Sequence, residues 1–374
     1  MKTKISNFII TALFVLFIGG FFLLNLLIPD KEFSPNENRY LQQHPGLSLS
    51  SLIDGSYTEK TEAYLSDQFP LRDQWIMIKA RLELLQGRRE NNGVFLCEGK
   101  RLVEPFTAPD AAALKSKSDS VNTLAESVDI PVTIALIPGS AELYGDLLPY
   151  GAENCSQRKT ADAIYSAVTA KSVDLAETLI SHKDEYVFYR TDHHWTSLGA
   201  MYAAEKIFAD AGESLPLPDA ADAVTVSESF YGTSYSSSGF FWISPDSIQK
   251  YRNAPDGLTV EKLEGPDPVS SSLYDESALE TKDKYRYFLG GNSSCVHIQT
   301  TCGDRPSILI LRDSYADSLV PFLLESYSDI YLLDLRYYHD SVISFVNDHP
   351  VDSVLILYSV NNFVTDPGVE FMAR

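Results

Sequence analysis

The stretch Ser307-Ile308-Leu309-Ile310-Leu311-Arg312-Asp313-Ser314 is a short apolar run that ends in an acid and a serine. Such a run is typical of a strand that is buried on both faces of a parallel sheet. A similar run occupies residues 131–138, and further strands are predicted at 329–333 and 353–358. Helical segments alternate with these runs, so the sequence predicts an α/β fold in which helices flank a parallel sheet.

A second stretch, Arg190-Thr191-Asp192-His193-His194-Trp195-Thr196, follows a short strand predicted at 186–189. Ligands of parallel sheets bind beyond the carboxyl ends of the strands, so this stretch and Ser314 are expected at one rim. Side chains two residues apart in an extended segment point the same way, which lets Asp192 and His194 act together. A serine nucleophile needs a base and an orienting acid, and Ser314, His194 and Asp192 are the candidate catalytic residues.

The N-terminal region has the composition of a membrane anchor. Phe8 to Ile28 carries no charge, and at ~1.5 Å per residue it reaches about 30 Å, the thickness of the bilayer core. Lys2 and Lys4 precede the run and favour a cytoplasmic N-terminus. Residues 1–30 are therefore predicted to be a cytoplasmic tail and transmembrane anchor at the cell membrane, and 31–374 an extracytoplasmic domain. A cleaved signal peptide is the alternative.

Within that domain, residues 213–305 are rich in Ser, Gly, Pro, Asp and Tyr and are predicted to form an irregular, β-leaning insertion. The chain carries a formal net charge of −21, which makes nucleic acid an unfavourable partner. The four cysteines do not have zinc-site spacing. Cys295 and Cys302 are near enough in sequence to close a small loop, whereas a pairing of Cys97 with Cys155 is left open.

The run from Thr191 to Ala200 resembles the signature of the DHHW family of secreted or membrane-anchored bacterial proteins. That family is similar to the SGNH-hydrolase-like proteins that O-acetylate alginate and other exopolysaccharides. The resemblance extends over most of the region after the anchor, through 36–39, 230–233, 288–292, 313–315, 333–338 and 357–363.

The resemblance implies an SGNH-like domain in which Ser314 is the nucleophile, His194 the base and Asp192 the acid. It favours His194 over His193 because His194 directly precedes Trp195. His193 departs from the pattern of the alginate-acetylating relatives, which leaves open a swap of roles or a substrate contact. The resemblance also implies a glycine and an asparagine that stabilise the oxyanion. Gly291 and Asn292 are the candidates, with Asn361 and Asn362 as alternatives.

Four further residues are candidate substrate contacts: His193, Trp195, Arg190 and Arg312. The two arginines flank the key stretches and would suit a carboxylated sugar, but such arginines more often pair with nearby acids. Trp195 would suit stacking against a sugar ring together with the aromatic run 240–242, although aromatic residues are more often part of a core.

The predicted activity is acyl transfer, with acetyl the expected group, to hydroxyls of a cell-surface or secreted polysaccharide, without a cofactor or metal. Acetyl-coenzyme A is not found outside cells, so the resemblance implies a multispanning membrane O-acyltransferase that supplies the acyl group. Two alternatives remain. One is a carbohydrate acetyl esterase with the same triad, and the other is a non-catalytic glycan-binding or scaffold protein.

Overall fold

The computed structural model describes residues 2–265 and 267–374. Its helices are α1 Lys2–Leu27, α2 Leu49–Ile53, α3 Ser56–Asp67, α4 Arg72–Leu85, α5 Ala111–Ser127, α6 Ser140–Leu143, α7 Gln157–Ala167, α8 Ala176–Ser181, α9 Ser197–Ala211, α10 Thr233–Ser238, α11 Val342–Asp348 and α12 Val360–Thr365. Its strands are β1 Phe33–Ser34, β2 Arg39–Tyr40, β3 Glu90–Asn91, β4 Val94–Leu96, β5 Leu102–Val103, β6 Val132–Ile137, β7 Lys171–Asp174, β8 Val224–Phe230, β9 Asp246–Lys250, β10 Thr259–Lys262, β11 Val269–Ser271, β12 Cys295–Gln299, β13 Ile308–Arg312, β14 Asp329–Leu333 and β15 Ser353–Ser359.

The chain divides into two compact units. One comprises Met1–Asn92 and Tyr235–Trp242, and the other comprises Gly93–Ser234 and Ile243–Arg374. The first unit contains α1, in which Ile5–Leu27 is long and apolar enough to cross a membrane. No second helix of this kind occurs in residues 2–265 or 267–374. This helix is therefore the candidate membrane anchor of the chain.

The second unit is built on an eight-stranded sheet with the order β11-β10-β12-β14-β13-β15-β6-β7. The five strands from β14 to β7 run parallel to one another. Side chains of β13 alternate between two cores, with Ile308 and Ile310 in one and Leu309 and Leu311 in the other. Both faces of the sheet are thus covered, which is why residues 308–311 of this strand are all apolar, and the predicted α/β fold is confirmed.

Parallel strands bring their carboxyl ends to one edge of the sheet. Ser314 follows β13, Gly139 follows β6, and Asn361 follows β15, the strand that pairs with both β13 and β6. Residues more than 200 positions apart in the chain therefore meet at this edge, where ligands of such sheets bind.

The segment 213–305 is more regular than the sequence predicted. Its strands β10, β11 and β12 extend the sheet in antiparallel fashion beyond β14, and β8 pairs with β9 as a separate antiparallel ribbon. The short alternating runs of this segment are too brief to reveal their partners, which are supplied by β14 and by one another. The insertion is thus part of the sheet rather than an appendage to it.

Three local predictions were wrong. Residues 186–189 form no strand but only a bridge between Phe188 and Trp195. The sequence of residues 173–182 predicts a helix, but the helix begins only at Ala176, because Lys171–Asp174 pairs with β6 as a strand. The sequence also predicts a helix after Ser314, through residues 320–324, but this segment instead forms two short 3-10 turns, Ser314–Ser318 and Val320–Phe322. All four cysteines are free.

Candidate active site

The backbone around Ser314 is fixed by the carboxylate of Asp313. Asp313 Oδ1 accepts a hydrogen bond from the Tyr315 N–H at 3.0 Å and so caps the 3-10 turn that begins at Ser314. Asp313 Oδ2 accepts from the Ser359 N–H at 2.9 Å and from Asn362 Nδ2 at 2.8 Å. The carboxylate therefore ties the end of β13 to the end of β15 and positions the turn.

A second buried carboxylate, Asp246, holds the loop that carries Asp192 and His194. It accepts hydrogen bonds from the Thr191 N–H at 2.7 Å and from the Thr191 hydroxyl at 2.6 Å. The Arg190 N–H and the Tyr186 hydroxyl also donate to it. These bonds replace the strand pairing that residues 186–189 lack. Sequence reasoning missed Asp246, which lies about fifty residues away in the insertion and carries no local signal.

Trp195 and Tyr315 join the two loops directly. Trp195 Nε1 donates to the Tyr315 carbonyl at 2.9 Å and lies 3.0 Å from Ser318 Oγ. In return, the Tyr315 hydroxyl donates to the His193 carbonyl. Trp195 is fully buried. Its indole therefore joins one loop to the other inside the core, which is the alternative that the sequence favoured, and Trp195 cannot stack against a sugar ring.

Ser314, His194 and Asp192 form a continuous chain of hydrogen bonds. Ser314 Oγ lies 2.7 Å from His194 Nε2, and His194 Nδ1 lies 2.5 Å from Asp192 Oδ1. The His194 N–H donates to the same Asp192 oxygen at 2.9 Å. This is the order of contacts that a serine nucleophile, its base and an orienting acid require. It is His194, and not His193, that contacts Ser314.

The other oxygen of Asp192 is held by Thr233. The Thr233 N–H donates to Asp192 Oδ2 at 2.8 Å, and the Thr233 hydroxyl lies 3.1 Å from it. The neighbouring Gly232 approaches so closely that a Cβ there would lie 2.2 Å from the Asp192 Cβ. A glycine is therefore needed at 232, and the resemblance at 230–233 marked this segment without revealing its contact.

Tyr285 covers one face of the His194 ring. The two rings are stacked, with centroids 3.9 Å apart and planes 12° from parallel. The Tyr285 hydroxyl donates to the Ser314 carbonyl at 3.2 Å and contacts Ser318 Oγ. Tyr285 thus limits both the tilt of the imidazole and the access of water to it, and nothing in the sequence had marked it as part of the site.

Burial and neighbouring charges set the protonation of the two central groups. Burial, followed by the charge of His193, lowers the pKa of His194 to about 4 against the opposing effect of Asp192. Burial alone would raise the pKa of Asp192, but His193, His194 and the Thr233 N–H hold it well below its usual range. Near neutral pH the carboxylate is therefore charged and the imidazole is neutral, which leaves the imidazole able to accept a proton.

A polar cavity of about 250 Å³ lies beside this chain of hydrogen bonds. It is lined by His193 and Tyr315, the neighbours of His194 and Ser314, and by Gly139, Asn361 and Asn362 from adjacent strand ends. The N–H of Gly139 already donates to Gln157 Oε1 at 2.6 Å, and Asn362 Nδ2 is bound to Asp313. Asn361 has an exposed side chain and is the better placed polar donor of the three.

Gly291 and Asn292, the first candidates for the oxyanion site, do not line this cavity. Asn292 contacts Tyr337 and Arg336, and a Cβ at Gly291 would strike Arg286. The Gly-Gly-Asn run instead makes a turn, as its positive φ values of 70° and 89° at Gly290 and Gly291 require. The alternative residues Asn361 and Asn362 are those that the fold brings to the cavity.

The two arginines have different surroundings. Arg312 is fully buried, with Nη1 2.8 Å from Asp317 Oδ1, although the geometry is not that of a hydrogen bond. Arg312 therefore cannot contact a substrate, because its guanidinium is buried beside Asp317. Arg190 is 46% exposed, pairs with Asp246 at 3.3 Å, and lines a different cavity with Tyr144 and Lys183.

Asp192, His193 and His194 have ligand atoms within 4.8 Å of one another, a spacing that suits a metal ion. Both ring nitrogens of His194 are engaged, by Ser314 and Asp192, and His193 Nδ1 lies 2.6 Å from Thr233 Oγ1. A metal held by all three residues would have to replace these hydrogen bonds. The residues fit a proton relay better than a metal site.

The family model described as DHHW protein matches residues 120–333. Two curated relatives are both named "Probable alginate O-acetylase AlgJ". The one from Pseudomonas syringae pv. tomato is 25% identical over 181 residues, which is 45% of this chain and 46% of the relative. The one from Pseudomonas aeruginosa is 27% identical over 191 residues, 46% of this chain and 48% of the relative. The chain thus spans about half the length of the curated relatives it matches.

Solved structures give a broader match. A DHHW family protein from Eubacterium siraeum is similar with a TM-score of 0.66 and 25% identity, over 75% of this chain and 95% of that chain. PatB1 of Bacillus cereus, solved with a sulfonyl adduct, is similar with a TM-score of 0.62 and 20% identity, over 74% of this chain and 97% of that chain. The similarity to PatB1, at 20% identity, concerns the fold alone.

Proposed function

This chain belongs to the DHHW family, and from that premise we propose that it transfers acetyl groups to hydroxyls of a polysaccharide outside the cytoplasm. The observation that carries the proposal is the hydrogen-bonded chain from Ser314 through His194 to Asp192 beside a polar cavity. The names of the curated relatives, which describe alginate O-acetylases, support the reaction class.

In the proposed reaction, Ser314 Oγ attacks the carbonyl carbon of an acetyl donor while His194 Nε2 takes the hydroxyl proton. Asp192 holds the imidazole in the tautomer that leaves Nε2 free to accept. His194 then gives the proton to the leaving group of the donor, and an acetyl ester remains on Ser314. A sugar hydroxyl attacks that ester, His194 takes its proton, and the proton returns to Ser314 Oγ as the acetylated sugar leaves.

In each step the carbonyl oxygen of the acetyl group becomes negative and needs hydrogen-bond donors to stabilise it. The Ser314 N–H is at the first position of a 3-10 turn, where N–H groups have no acceptor within the turn itself. The exposed side chain of Asn361 in the cavity is the second proposed donor. His193 lines the same cavity and is the proposed contact to the acceptor sugar. Arg190 remains a proposed contact at the neighbouring cavity only.

We place α1 across the cell membrane with its N-terminus in the cytoplasm and residues 31–374 outside. The charge-free stretch Ile5–Leu27 supports a single crossing, and the lysines near the N-terminus support this orientation. A multispanning membrane O-acyltransferase is the proposed source of the acetyl group, because acetyl-coenzyme A is confined to the cell interior.

A donor assay separates transfer from hydrolysis. The full chain in detergent is given a chromogenic acetyl ester, with and without an oligosaccharide, and the products are identified by mass spectrometry. We expect acetylated oligosaccharide, formed at the expense of free acetate as the oligosaccharide concentration rises. Acetate alone at every oligosaccharide concentration would instead assign the site to a carbohydrate acetyl esterase.

The dependence of activity on pH should reflect the lowered pKa of His194. Because burial moves the pKa of this base from its ordinary value of 6.5 to about 4, the imidazole stays neutral and active well below pH 6.5. We expect kcat/KM for the acetyl ester to be level from neutral pH downward and to fall only as pH nears that lowered pKa. Circular dichroism at each pH serves as the folding control. A midpoint at or above 6.5 would contradict the proposed environment of His194.

A further inference from the structure

The charges around the cavity beside Ser314 restrict the kind of sugar that can bind there, provided that the proposed function holds. The lining of this cavity, taken over the residues that the structure describes, includes one carboxylate, Glu104, and neither lysine nor arginine. The rest of the polar lining consists of uncharged side chains such as Gln157, Ser140 and Asn361, together with His193. These groups hydrogen-bond to hydroxyls and amides equally well.

Glu104 lines the same cavity as Tyr315 and His193. Its Oε1 accepts a hydrogen bond from Ser234 Oγ at 2.7 Å, and its side chain is exposed to solvent at the cavity. The charge of Glu104 acts on Tyr315, the residue that follows Ser314, where it contributes to the raised pKa of that phenol after the larger effects of burial, Asp313, Asp192 and Tyr285. A ligand seated beside Tyr315 therefore meets a negative charge.

Among the described residues, His193 is the one side chain of this lining that can carry a positive charge, and no lysine or arginine joins it there to offset Glu104. Arg312 is buried against Asp317, and Arg190 pairs with Asp246 at another cavity. Lys282 lies over the Tyr231 ring at 5.0 Å and does not line the cavity. Burial lowers the pKa of Lys282 to about 8. With a net charge of −21, the chain as a whole also repels an anionic polymer.

We propose that the acceptor residue in this cavity is a sugar without a carboxylate, and not a uronate. Alginate is a polymer of uronic acids, so every one of its residues would set a carboxylate against Glu104. Like charges brought together at a binding site oppose binding strongly. A volume of about 250 Å³ is below the range of about 300–1,000 Å³ for larger ligands, so it suits one sugar ring.

Three oligosaccharides of equal length test the proposal with the full chain and a chromogenic acetyl ester. They are the pentamers of N-acetylglucosamine, of glucosamine and of mannuronate, and the rate of O-acetylation of each is measured by mass spectrometry. We expect both non-anionic pentamers to be acetylated about tenfold faster than the mannuronate pentamer. The Glu104→Gln variant should reduce the ratio of the non-anionic rate to the mannuronate rate several-fold. Because both rates are measured on the same variant, a change in its overall activity does not alter this ratio.

The matched control is Glu126→Gln, which removes an exposed carboxylate at the end of α5 and should leave the ratio unchanged. Equal or faster acetylation of the mannuronate pentamer would overturn the proposal, as would a ratio that Glu104→Gln leaves unchanged. Binding of the three pentamers to the Ser314→Ala variant, measured by calorimetry, must give the same ranking. Should no acetyl ester form on Ser314, the proposed function fails, while the binding ranking still decides the nature of the acceptor.

Discussion

Replacing Ser314 with alanine removes acetyl transfer, with an expected loss of kcat of about 10⁴-fold or more. The reason is that Ser314 Oγ is the only atom of this residue that can carry the acetyl group, and no other hydroxyl contacts His194 Nε2 in the described parts of the chain. What remains would come from binding and from oxyanion donors alone. The measurement is the rate of ester turnover under saturating donor, together with a search for an acetyl group on the protein by mass spectrometry.

The alanine variant should stay folded, since the Ser314 side chain makes one hydrogen bond, to His194. Thermal unfolding followed by circular dichroism checks this. Ser326→Ala, in the loop before β14, is the matched control and should retain full activity. If Ser314→Ala turns over the ester at the rate of the unaltered protein, the chain is a glycan-binding or scaffold protein that keeps the fold without the chemistry.

The Asp192→Asn variant is expected to lower kcat by about 10³- to 10⁴-fold with a smaller effect on KM. Both oxygens of Asp192 accept hydrogen bonds from donors, namely His194 and Thr233. An amide has one oxygen and one NH₂ group, so one set of these donors would face another donor. The imidazole would then turn or change tautomer, and Nε2 would no longer be the atom that accepts the serine proton.

Asp283→Asn supplies the control for charge alone. Asp283 and Asp192 interact electrostatically, but it is His194 and Thr233 that bind Asp192 directly. Removing the Asp283 charge should change kcat by no more than a few-fold. If Asp283→Asn lowered kcat as much as Asp192→Asn, the negative charge around His194 would be what matters for the reaction, and not the orientation of the imidazole ring.

Local sequence patterns predicted the parts of the site better than their surroundings. The spacing of Asp192 and His194 and the position of Ser314 after an apolar strand were visible because each is a feature of a few adjacent residues. The supports of the site were not visible. Asp246, Thr233 and Tyr285 come from separate segments of the insertion, and a single carboxylate, hydroxyl or phenol in such a segment has no pattern of its own.

The errors share a physical cause. Arg312 was a candidate sugar contact because it is charged and adjoins the nucleophile, but the alternative, pairing with a nearby acid, is what the structure has: the last residue of a central strand is buried by its neighbours, where Asp317 lies 2.8 Å from its guanidinium. The helix predicted at 173–182 begins too early, at residues 173 and 174, because the strand pairing of 171–174 depends on β6, some forty residues earlier. The cavity residues Gly139 and Gln157 gave no signal at all, since only the sheet order brings them beside Tyr315.

The sequence by itself determined the class of fold, the candidate anchor and the three residues proposed to carry the reaction, because apolar periodicity, an uncharged run and short spacings are local properties. The tertiary structure decided which residues hold those three in place and which charged side chain lines the cavity beside them. Contacts between segments tens to hundreds of residues apart depend on strand order and burial, and these are properties of the folded chain as a whole.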